Sequence, residues 1–174
     1  MGWLFAARVP YSLPMHYRLY EPGDFPRLYA VEEACFGPRL RFSRSYMRQI
    51  LANPDSAAWI AEAQTESAEG EIAGFAVADW MKADDETIAY IQTLEVAAKH
   101  RRLGVGAELL RRVEASTRAA GATLLWLHVD ERNDAALGLY RAHGFLLLGR
   151  EEHYYPQGGH ALVLALPLAP AAGG

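Results

Sequence analysis

Short segments of alternating apolar and polar residues dominate the first half of the chain. A weak alternation at Tyr17–Tyr20 predicts a first strand, and in the following "EPGD" Asp24 is placed to cap a helix that runs to about Phe36. Ser43 is placed to cap a second helix, towards Leu51. Three segments rich in β-branched and aromatic residues then predict antiparallel strands, the first two joined by the polar loop "QTESAEGE". These segments are "SAAWIAEA", "IAGFAVADWM" and "ETIAYIQTLEV".

Helical and strand patterns alternate in the second half of the chain. After Gly104 apolar side chains recur at the spacing of one helical face, and Gly121 marks the end of that helix. "TLLWLHV" is apolar throughout, which predicts a strand inside the sheet. A helix from Asn133 to His143 separates it from a strand pair, "FLLLGRE" and "HALVLALPL". This order predicts an α/β fold in which seven strands form a mixed, mostly antiparallel sheet flanked by about four helices.

The composition is that of one globular domain. The 174 residues are 51% apolar and 22% charged, and no apolar stretch approaches the roughly 20 residues that span a bilayer. We expect a single domain over residues 15–168, after a loose extension at residues 1–14 and before a disordered tail at residues 169–174. Met15 is an alternative to Met1 as the natural start.

Charge and cysteine content exclude several classes of function. A net charge of -4 argues against a protein that holds nucleic acid over a broad basic surface. The single cysteine, Cys35, leaves no disulfide framework and fits a reducing compartment, and the six histidines show no metal-binding spacing. We therefore expect a cytoplasmic protein without a metal, a nucleic acid or a membrane as partner. The sequence leaves the oligomeric state open.

The glycine-containing segment "RRLGVG" lies between a predicted strand and a predicted helix. Free N–H groups at a helix N-terminus, glycines that allow close approach and two arginines together predict an anion site. A dinucleotide-binding fingerprint with Asp130 as the ribose ligand is disfavoured, because Leu109 stands where the third glycine is required. An ordinary helix cap beside solvated arginines remains an alternative at this point.

Two motifs together resemble the GCN5-related N-acetyltransferase (GNAT) superfamily, which binds acetyl-CoA. They are Arg-x-x-Gly-x-Gly at residues 101–106 and "NDAALGLYRAHGF" at residues 133–145. The segments around them, with "HYYPQGGHALVLALPL", are similar to protein N-terminal acetyltransferases. These include the bacterial RimI type, which modifies the amino-terminal alanine of a ribosomal protein, and the eukaryotic NatE catalytic subunit. His128 departs from the Glu usual in the bacterial type and matches the NatE subunit, as does Tyr90 in "YIQTL".

The resemblance implies a GNAT fold and direct transfer of acetyl from a thioester to an amine, with no covalent enzyme intermediate. His128 is expected to accept a proton, directly or through water, since histidine titrates near neutral pH, and Tyr90 is expected to position or polarise that water. By the same resemblance Tyr140 is the general acid for the coenzyme A thiolate. A purely structural role is the alternative for His128 and for Tyr140.

The orientation of side chains on the two central strands supports this assignment. Regular alternation places His128 on one face of its strand with Trp126, and Tyr90 on one face with Gln92, Leu94 and Val96. Glu95 is then expected on the opposite face, as a structural or solvated carboxylate rather than the base. If the two strands splay apart, both Tyr90 and His128 can approach the substrate nitrogen.

The resemblance also implies how acetyl-CoA is held. Backbone groups on the Tyr90 strand would pair with the pantetheine amides, N–H groups of the glycine loop would hold the pyrophosphate, and the two arginines would add charge. The expected set is Leu94, Glu95, Val96, Arg101, Arg102, Leu103, Gly104, Val105, Gly106, Ala107, Asn133 and Tyr140.

The acceptor is inferred from amine basicity. An α-amino group has a pKa of about 7.7 to 8.0, whereas that of lysine is about 10.4, so a histidine and tyrosine pair suits the α-amine of a protein or peptide. A ribosomal protein is one candidate. Tyr154 and Tyr155 are expected to close over the first residues of the peptide, with Phe36 and Pro38 as the opposite wall. A small-molecule amine as acceptor, or a non-catalytic regulator that binds acetyl-CoA, are the alternatives.

Overall fold

Seven strands and four α-helices form the part of the chain that the computed structural model describes, residues 14–65 and 70–168. The strands are β1 (Met15–Leu19), β2 (Ser56–Ala63), β3 (Glu71–Ala83), β4 (Glu86–Val96), β5 (Ala122–Asp130), β6 (Leu146–Glu151) and β7 (Ala161–Pro167). The helices are α1 (Phe25–Cys35), α2 (Arg44–Leu51), α3 (Val105–Ala119) and α4 (Asp134–Ala142). The predicted order of elements is confirmed. The predicted extension before Pro14, the predicted tail and the centre of the "QTESAEGE" loop lie outside the described residues.

The sheet has the strand order β1-β2-β3-β4-β5-β7-β6, and its pairs are antiparallel except β4 with β5. That parallel pairing stops at Tyr90 and Trp126, although β4 continues to Val96 and β5 continues to Asp130. The two strands therefore separate in the middle of the sheet. The prediction of a mixed sheet whose central strands splay apart is confirmed.

A β-bulge interrupts β4 at Gln92. On β3 the adjacent residues Val77 and Ala78 pair with Thr93 and Ile91, so that Gln92 has no partner across the ladder. An extra residue in one strand reverses which of its side chains face each side of the sheet. After Gln92, each side chain of β4 therefore points to the side of the sheet opposite to the one that a regular strand would give it.

The bulge changes the position of Glu95. Leu94 and Val96 pack against the α3 side of the sheet, whereas Glu95 contacts Glu32 of α1 on the other side. Gln92 also faces that other side, where it bonds to α2. The prediction that Leu94 and Val96 share a face with Tyr90, and that Glu95 lies opposite, is wrong because it assumed a regular strand.

The two faces of the sheet carry separate apolar cores. On one face α3 buries its predicted apolar stripe, and Leu109 and Leu110 are completely buried. On the other face α1 and α2 pack on the first strands around Phe75 and Met47. Truncation of such a leucine to alanine costs about 2–5 kcal/mol, so each helix is fixed on its face by packing. Among the described residues no helix is both long and apolar enough to cross a membrane.

The helix ends follow the sequence with one exception. Ser43 caps α2 and Asn133 caps α4, each accepting a hydrogen bond from the backbone N–H three residues on. Asp24 precedes α1 but does not cap it with its side chain. Its carboxylate instead accepts hydrogen bonds of 2.7 Å from Arg18 and from Arg27. The prediction of Asp24 as a side-chain cap is therefore wrong, because two guanidinium groups compete for its oxygens.

Candidate active site

A cleft of about 800 Å³ opens where β4 and β5 separate. The two strands, α4, the segment that joins α1 to α2 and the segment that joins β6 to β7 form its walls. The structure brings together in this cleft many of the residues predicted from the sequence. These are Phe36, Tyr90, Leu94, His128, Asn133, Tyr140, Tyr154 and Tyr155.

Tyr90 and His128 make direct contact across the cleft. The Tyr90 hydroxyl oxygen lies 3.1 Å from Nδ1 of His128. The Trp126 ring packs against both, with ring centroids 4.6 Å from Tyr90 and 5.3 Å from His128. His128 and Trp126 share a face of β5, as predicted, because β5 is regular up to that point. Trp126 limits the rotation of both polar side chains, so the contact has a defined geometry.

The other side of the His128 ring meets the β6–β7 segment. Tyr154 stacks on it with centroids 4.3 Å apart and planes inclined by 14°. A carboxylate oxygen of Glu151 lies 3.1 Å from Nε2, although Nε2 takes part in no directed hydrogen bond with the described residues. Negative charge beside Nε2 favours the tautomer with its proton there. Nδ1 is then the nitrogen that accepts from Tyr90.

Burial favours the protonated form of three tyrosines of the cleft, Tyr90, Tyr140 and Tyr155. Burial raises the pKa of Tyr90, and the neighbouring Tyr154 raises it further. Burial likewise raises the pKa of Tyr140, and it raises the pKa of Tyr155 to about 12. Tyr140 is 6% exposed and packs on Phe145. At neutral pH these hydroxyl groups are therefore available as hydrogen-bond donors rather than as bases.

The glycine loop forms an open N-terminus for α3. Gly104 precedes the helix with φ of +81° and offers no side-chain cap. The first bond of this helix runs from the Glu108 N–H to the Gly104 carbonyl oxygen at 3.1 Å, so the N–H groups of residues 105–107 have no acceptor within the helix. At Gly106 an added Cβ would lie 3.4 Å from Leu139 of α4. The N–H groups without an acceptor and the two glycines without side chains suit an anionic group.

The two arginines of this loop differ in their contacts. Arg101 donates from Nε to the Val96 carbonyl oxygen at 2.9 Å. Arg102 is exposed, with φ of +62°. The Cys35 thiol donates to the same oxygen at 3.7 Å, so the Val96 carbonyl already accepts from two donors. Glu95 is buried behind the cleft, so only its backbone remains available for the predicted cofactor contact.

Other predicted residues lie at the edges of the cleft. Asn133 lines it while its side-chain oxygen caps α4 at 3.1 Å from the Ala136 N–H. Pro38 lies in the turn closed by the Leu40 N–H and the Gly37 carbonyl, and it is not among the residues that line the cleft. Phe36, by contrast, does line it.

Sequence reasoning missed most of the wall that the α1–α2 segment contributes. We call Phe36, Leu40, Phe42 and Tyr46 the α1–α2 wall, and all four line the cleft. Phe42 and Tyr46 pack edge to face with centroids 4.9 Å apart. Their spacing of four residues across the start of α2 was the available signal. Tyr46 also donates to the Gln92 side-chain oxygen at 3.1 Å, which ties the wall to the bulge in β4.

Two of the charged residues that line the cleft are paired with each other. Asp130 and Arg132, which line its rim, form an ion pair at 2.8 Å. Within residues 14–65 and 70–168, no group of three or more His, Cys, Asp or Glu side chains is arranged to hold a metal ion.

Comparisons with known proteins agree with the motifs. Residues 25–145 match the acetyltransferase (GNAT) family. Streptothricin acetyltransferase from Streptomyces lavendulae is 35% identical to the chain over 104 residues, which cover 58% of this chain and 54% of that protein. N-alpha-acetyltransferase 50 from Danio rerio is 35% identical over 91 residues, which cover 48% of this chain and 54% of that protein. The chain thus spans about half the length of these two relatives.

The fold also has a counterpart among solved structures. The ribosomal-protein-S18-alanine N-acetyltransferase from Escherichia coli superimposes with a TM-score of 0.73 at 25% sequence identity. The superposition covers 91% of this chain and 97% of that one. The resemblance inferred from the two motifs is therefore confirmed for family and fold.

Proposed function

Because the chain belongs to the acetyltransferase (GNAT) family, we propose that it is an acetyl-CoA-dependent N-acetyltransferase that acts on the N-terminal α-amine of a protein or peptide. The reaction runs in a ternary complex, by direct attack of the amine. The observation that carries the proposal is the 3.1 Å contact between the Tyr90 hydroxyl and Nδ1 of His128, at the point where β4 and β5 separate.

The residues present fit acetyl-CoA. When bound, acetyl-CoA supplies an acetyl group activated as a thioester. The free N–H groups at the start of α3 would hold the pyrophosphate, and Arg102 would add positive charge nearby. Backbone groups of β4 beyond the bulge, which have no partner on β5, would pair with the pantetheine amides. Asn133 and Tyr140 would contact the arm of the cofactor from α4.

His128 and Tyr90 manage the proton of the acceptor amine. With its proton on Nε2 beside Glu151, His128 presents Nδ1 as the basic nitrogen. The proton of the amine reaches Nδ1 through the Tyr90 hydroxyl, which passes its own proton to Nδ1 as its oxygen accepts one from the amine or from a bound water. Tyr140 keeps its proton, because its pKa is raised by burial, and stabilises the departing thiolate by hydrogen bonding.

An α-amine is the acceptor that this site serves best. An ordinary α-amino group is partly neutral at pH 7, whereas a lysine amine must first lose a strongly held proton, so a single histidine suffices for the former. Tyr154 and Tyr155 on one side and the α1–α2 wall on the other give an extended peptide two surfaces to contact. The similarity to N-alpha-acetyltransferase 50 supports the same acceptor class. A ribosomal protein is one candidate target.

A small-molecule amine is the second candidate acceptor. The observation that favours it is the similarity to streptothricin acetyltransferase, which extends over 104 residues. The same proton chemistry serves both acceptors, so the wall of the cleft rather than the Tyr90 and His128 pair decides between them.

Acetyl-CoA turnover against a peptide library tests the proposal. Thiol release is measured with peptides that vary in their first two residues, with the same peptides blocked at the α-amine but carrying lysine, and with polyamines and streptothricin-type antibiotics. We expect release only with free α-amines. Thiol release with small amines alone would show that the acceptor is a small-molecule amine, the second candidate. Tight acetyl-CoA binding without release for any amine would indicate a non-catalytic regulator.

A further inference from the structure

Two buried glutamates meet between α1 and β4, and one of them, Glu32, also lines the cleft. Glu32 of α1 is 1% exposed and Glu95 of β4 is 3% exposed, and their side chains are neighbours. They meet because the bulge at Gln92 turns Glu95 towards α1. No step of the proposed reaction uses either group.

Each carboxyl group is held by one donor and has one oxygen left over. The Phe42 N–H donates to Oε1 of Glu32 at 2.6 Å, and the Thr93 hydroxyl donates to Oε1 of Glu95 at 2.7 Å. Oε2 of Glu32 and Oε2 of Glu95 are buried, and neither accepts a hydrogen bond from any described residue.

The two unbonded oxygens are accounted for if the two carboxyl groups share one proton. Two buried carboxylates side by side would repel each other and lose their hydration without compensation. Burial raises the pKa of Glu95, and the adjacent Glu32 raises it further, so Glu95 holds the proton and donates to Glu32.

The neighbouring groups do not supply a positive charge in place of that proton. Cys35 of α1 is close by, and burial and Glu95 raise the pKa of its thiol, which keeps it neutral. Arg101 is bonded to the Val96 carbonyl. Among the described residues, no Lys, Arg or His forms an ion pair with Glu32 or Glu95.

The pair is connected to the wall through Phe42. The Phe42 N–H is bound by Glu32, and its carbonyl oxygen accepts from the Tyr29 hydroxyl at 2.7 Å. Both backbone groups of Phe42 are therefore anchored to α1, while its ring packs on Tyr46 in the cleft. Without the Glu32 contact, the Phe42 backbone would be held to α1 by the Tyr29 hydroxyl alone, and the segment that carries Phe36, Leu40 and Phe42 would be held less firmly.

We propose that Glu32 and Glu95, sharing one proton, are positioning residues that hold the α1–α2 wall against the sheet and so set the affinity for the acceptor. The role in acceptor affinity rests on the proposed function. The anchoring of the wall does not, and it can be measured without any acceptor.

Three variants separate positioning from stability. Replacing both glutamates by leucine (Glu32→Leu with Glu95→Leu) keeps the site packed and apolar, and replacing buried charged groups by apolar residues of similar volume is often neutral for stability. Glu95→Gln is the matched control, because its amide still donates to Glu32 and still accepts from Thr93. Gly23→Ala, where an added Cβ meets no atom within 4 Å, controls for substitution away from the cleft.

Steady-state kinetics gives the first readout. We expect the acceptor KM of the double leucine variant to rise about tenfold, the effect of losing one hydrogen bond to a charged group. Its KM for acetyl-CoA and its kcat should stay within about twofold of wild type, and Glu95→Gln should restore the acceptor KM. A double leucine variant with a wild-type acceptor KM would overturn the proposal. A Glu95→Gln variant whose acceptor KM is raised as much as that of the double leucine variant would also overturn it.

Amide hydrogen exchange gives a second readout that needs no substrate. Exchange of residues 36–42 should be faster in the double leucine variant than in wild type, and normal in Glu95→Gln. Unchanged exchange overturns the anchoring role. If the wild-type protein acetylates no amine, the proposed function is wrong. Hydrogen exchange still tests whether the two glutamates anchor the wall, because it does not depend on activity.

Infrared spectroscopy tests the shared proton. At neutral pH we expect the C=O stretch of one protonated carboxyl group in the wild-type protein, and its disappearance in Glu95→Gln. A spectrum that shows only ionised carboxylates would overturn the proton-sharing part of the proposal.

Discussion

The Tyr90 hydroxyl lies 3.1 Å from Nδ1 of His128, and the two residues come from neighbouring parallel strands whose pairing ends at Tyr90. If β4 and β5 stayed paired beyond Tyr90, both groups would be buried between paired strands. If the two strands separated earlier, the groups would be too far apart to touch. The position of the last backbone pair therefore decides whether this contact faces an open cleft.

Removal of the imidazole should slow turnover without weakening cofactor binding. A positioned general base contributes about 10²–10⁴-fold to rate, so we expect His128→Ala to lower kcat by roughly that range. Tyr90→Phe should lower it by about tenfold, since it removes one hydrogen bond to Nδ1. Neither change touches the glycine loop, so the acetyl-CoA Kd measured by calorimetry should change by less than about threefold. Wild-type turnover in both variants would contradict the assignment of the base.

Tyr140→Phe tests the residue expected to assist thiolate departure. The phenylalanine keeps the packing on Phe145 and removes only the hydroxyl. We expect kcat to fall by about tenfold or more, with the thermal midpoint changed by only a few degrees. Thiol release in single-turnover reactions is the appropriate measurement. A chain that only binds acetyl-CoA would show no dependence on this hydroxyl.

Gly106→Ala tests the anion cradle at the start of α3. The added Cβ would lie 3.4 Å from Leu139 and 3.6 Å from Val96, and it would narrow the approach to the free N–H groups. We expect the acetyl-CoA Kd to rise by about tenfold or more while the free energy of unfolding changes by about 1 kcal/mol or less. Gly23→Ala, with no atom near its Cβ, serves as the comparison. Equal acetyl-CoA affinity in the two variants would show that the glycine loop does not bind the cofactor.

Local patterns in the sequence determine most of the elements but not their exact register. The strand "ETIAYIQTLEV" was predicted with its observed bounds, because its composition alone identifies it. The bulge at Gln92 was not, since it depends on pairing with β3. That single residue explains the error over Glu95, and with it the failure to foresee the Glu32 and Glu95 pair. Contacts that span the sheet are set by packing, which periodicity does not encode.

The site was predictable to the extent that its residues stand in motifs. Tyr90, His128 and Tyr140 were identified from the sequence, and the structure brings them into one cleft. Phe42 and Tyr46 were missed because they face the cleft only when α2 packs on β4 through the Tyr46 and Gln92 hydrogen bond. Their four-residue spacing indicates a shared aromatic face but does not say which part of the fold that face meets.

Acid should destabilise the protein through Asp24. Hydrogen bonds from Arg18 are the main reason why the pKa of Asp24 falls from 3.8 to about 2, although burial opposes the shift. A carboxyl group whose pKa is lower in the folded state stabilises the fold above its unfolded pKa. That stabilisation, about 2 kcal/mol, is complete above roughly pH 5 and disappears as the pH falls towards 2.

Asp24→Asn removes this titration while it keeps the size of the side chain. We expect the variant to be less stable than wild type by about 2 kcal/mol or more at pH 7, because Arg18 and Arg27 lose their shared partner. The difference should shrink at pH 3, where wild-type Asp24 begins to take up its proton. Urea unfolding at the two pH values measures this, and Glu33→Gln, at a carboxylate with 44% of its side chain exposed, is the control. Equal differences at pH 7 and pH 3 would mean that Asp24 does not titrate with folding, and that the arginine contacts leave its pKa unchanged.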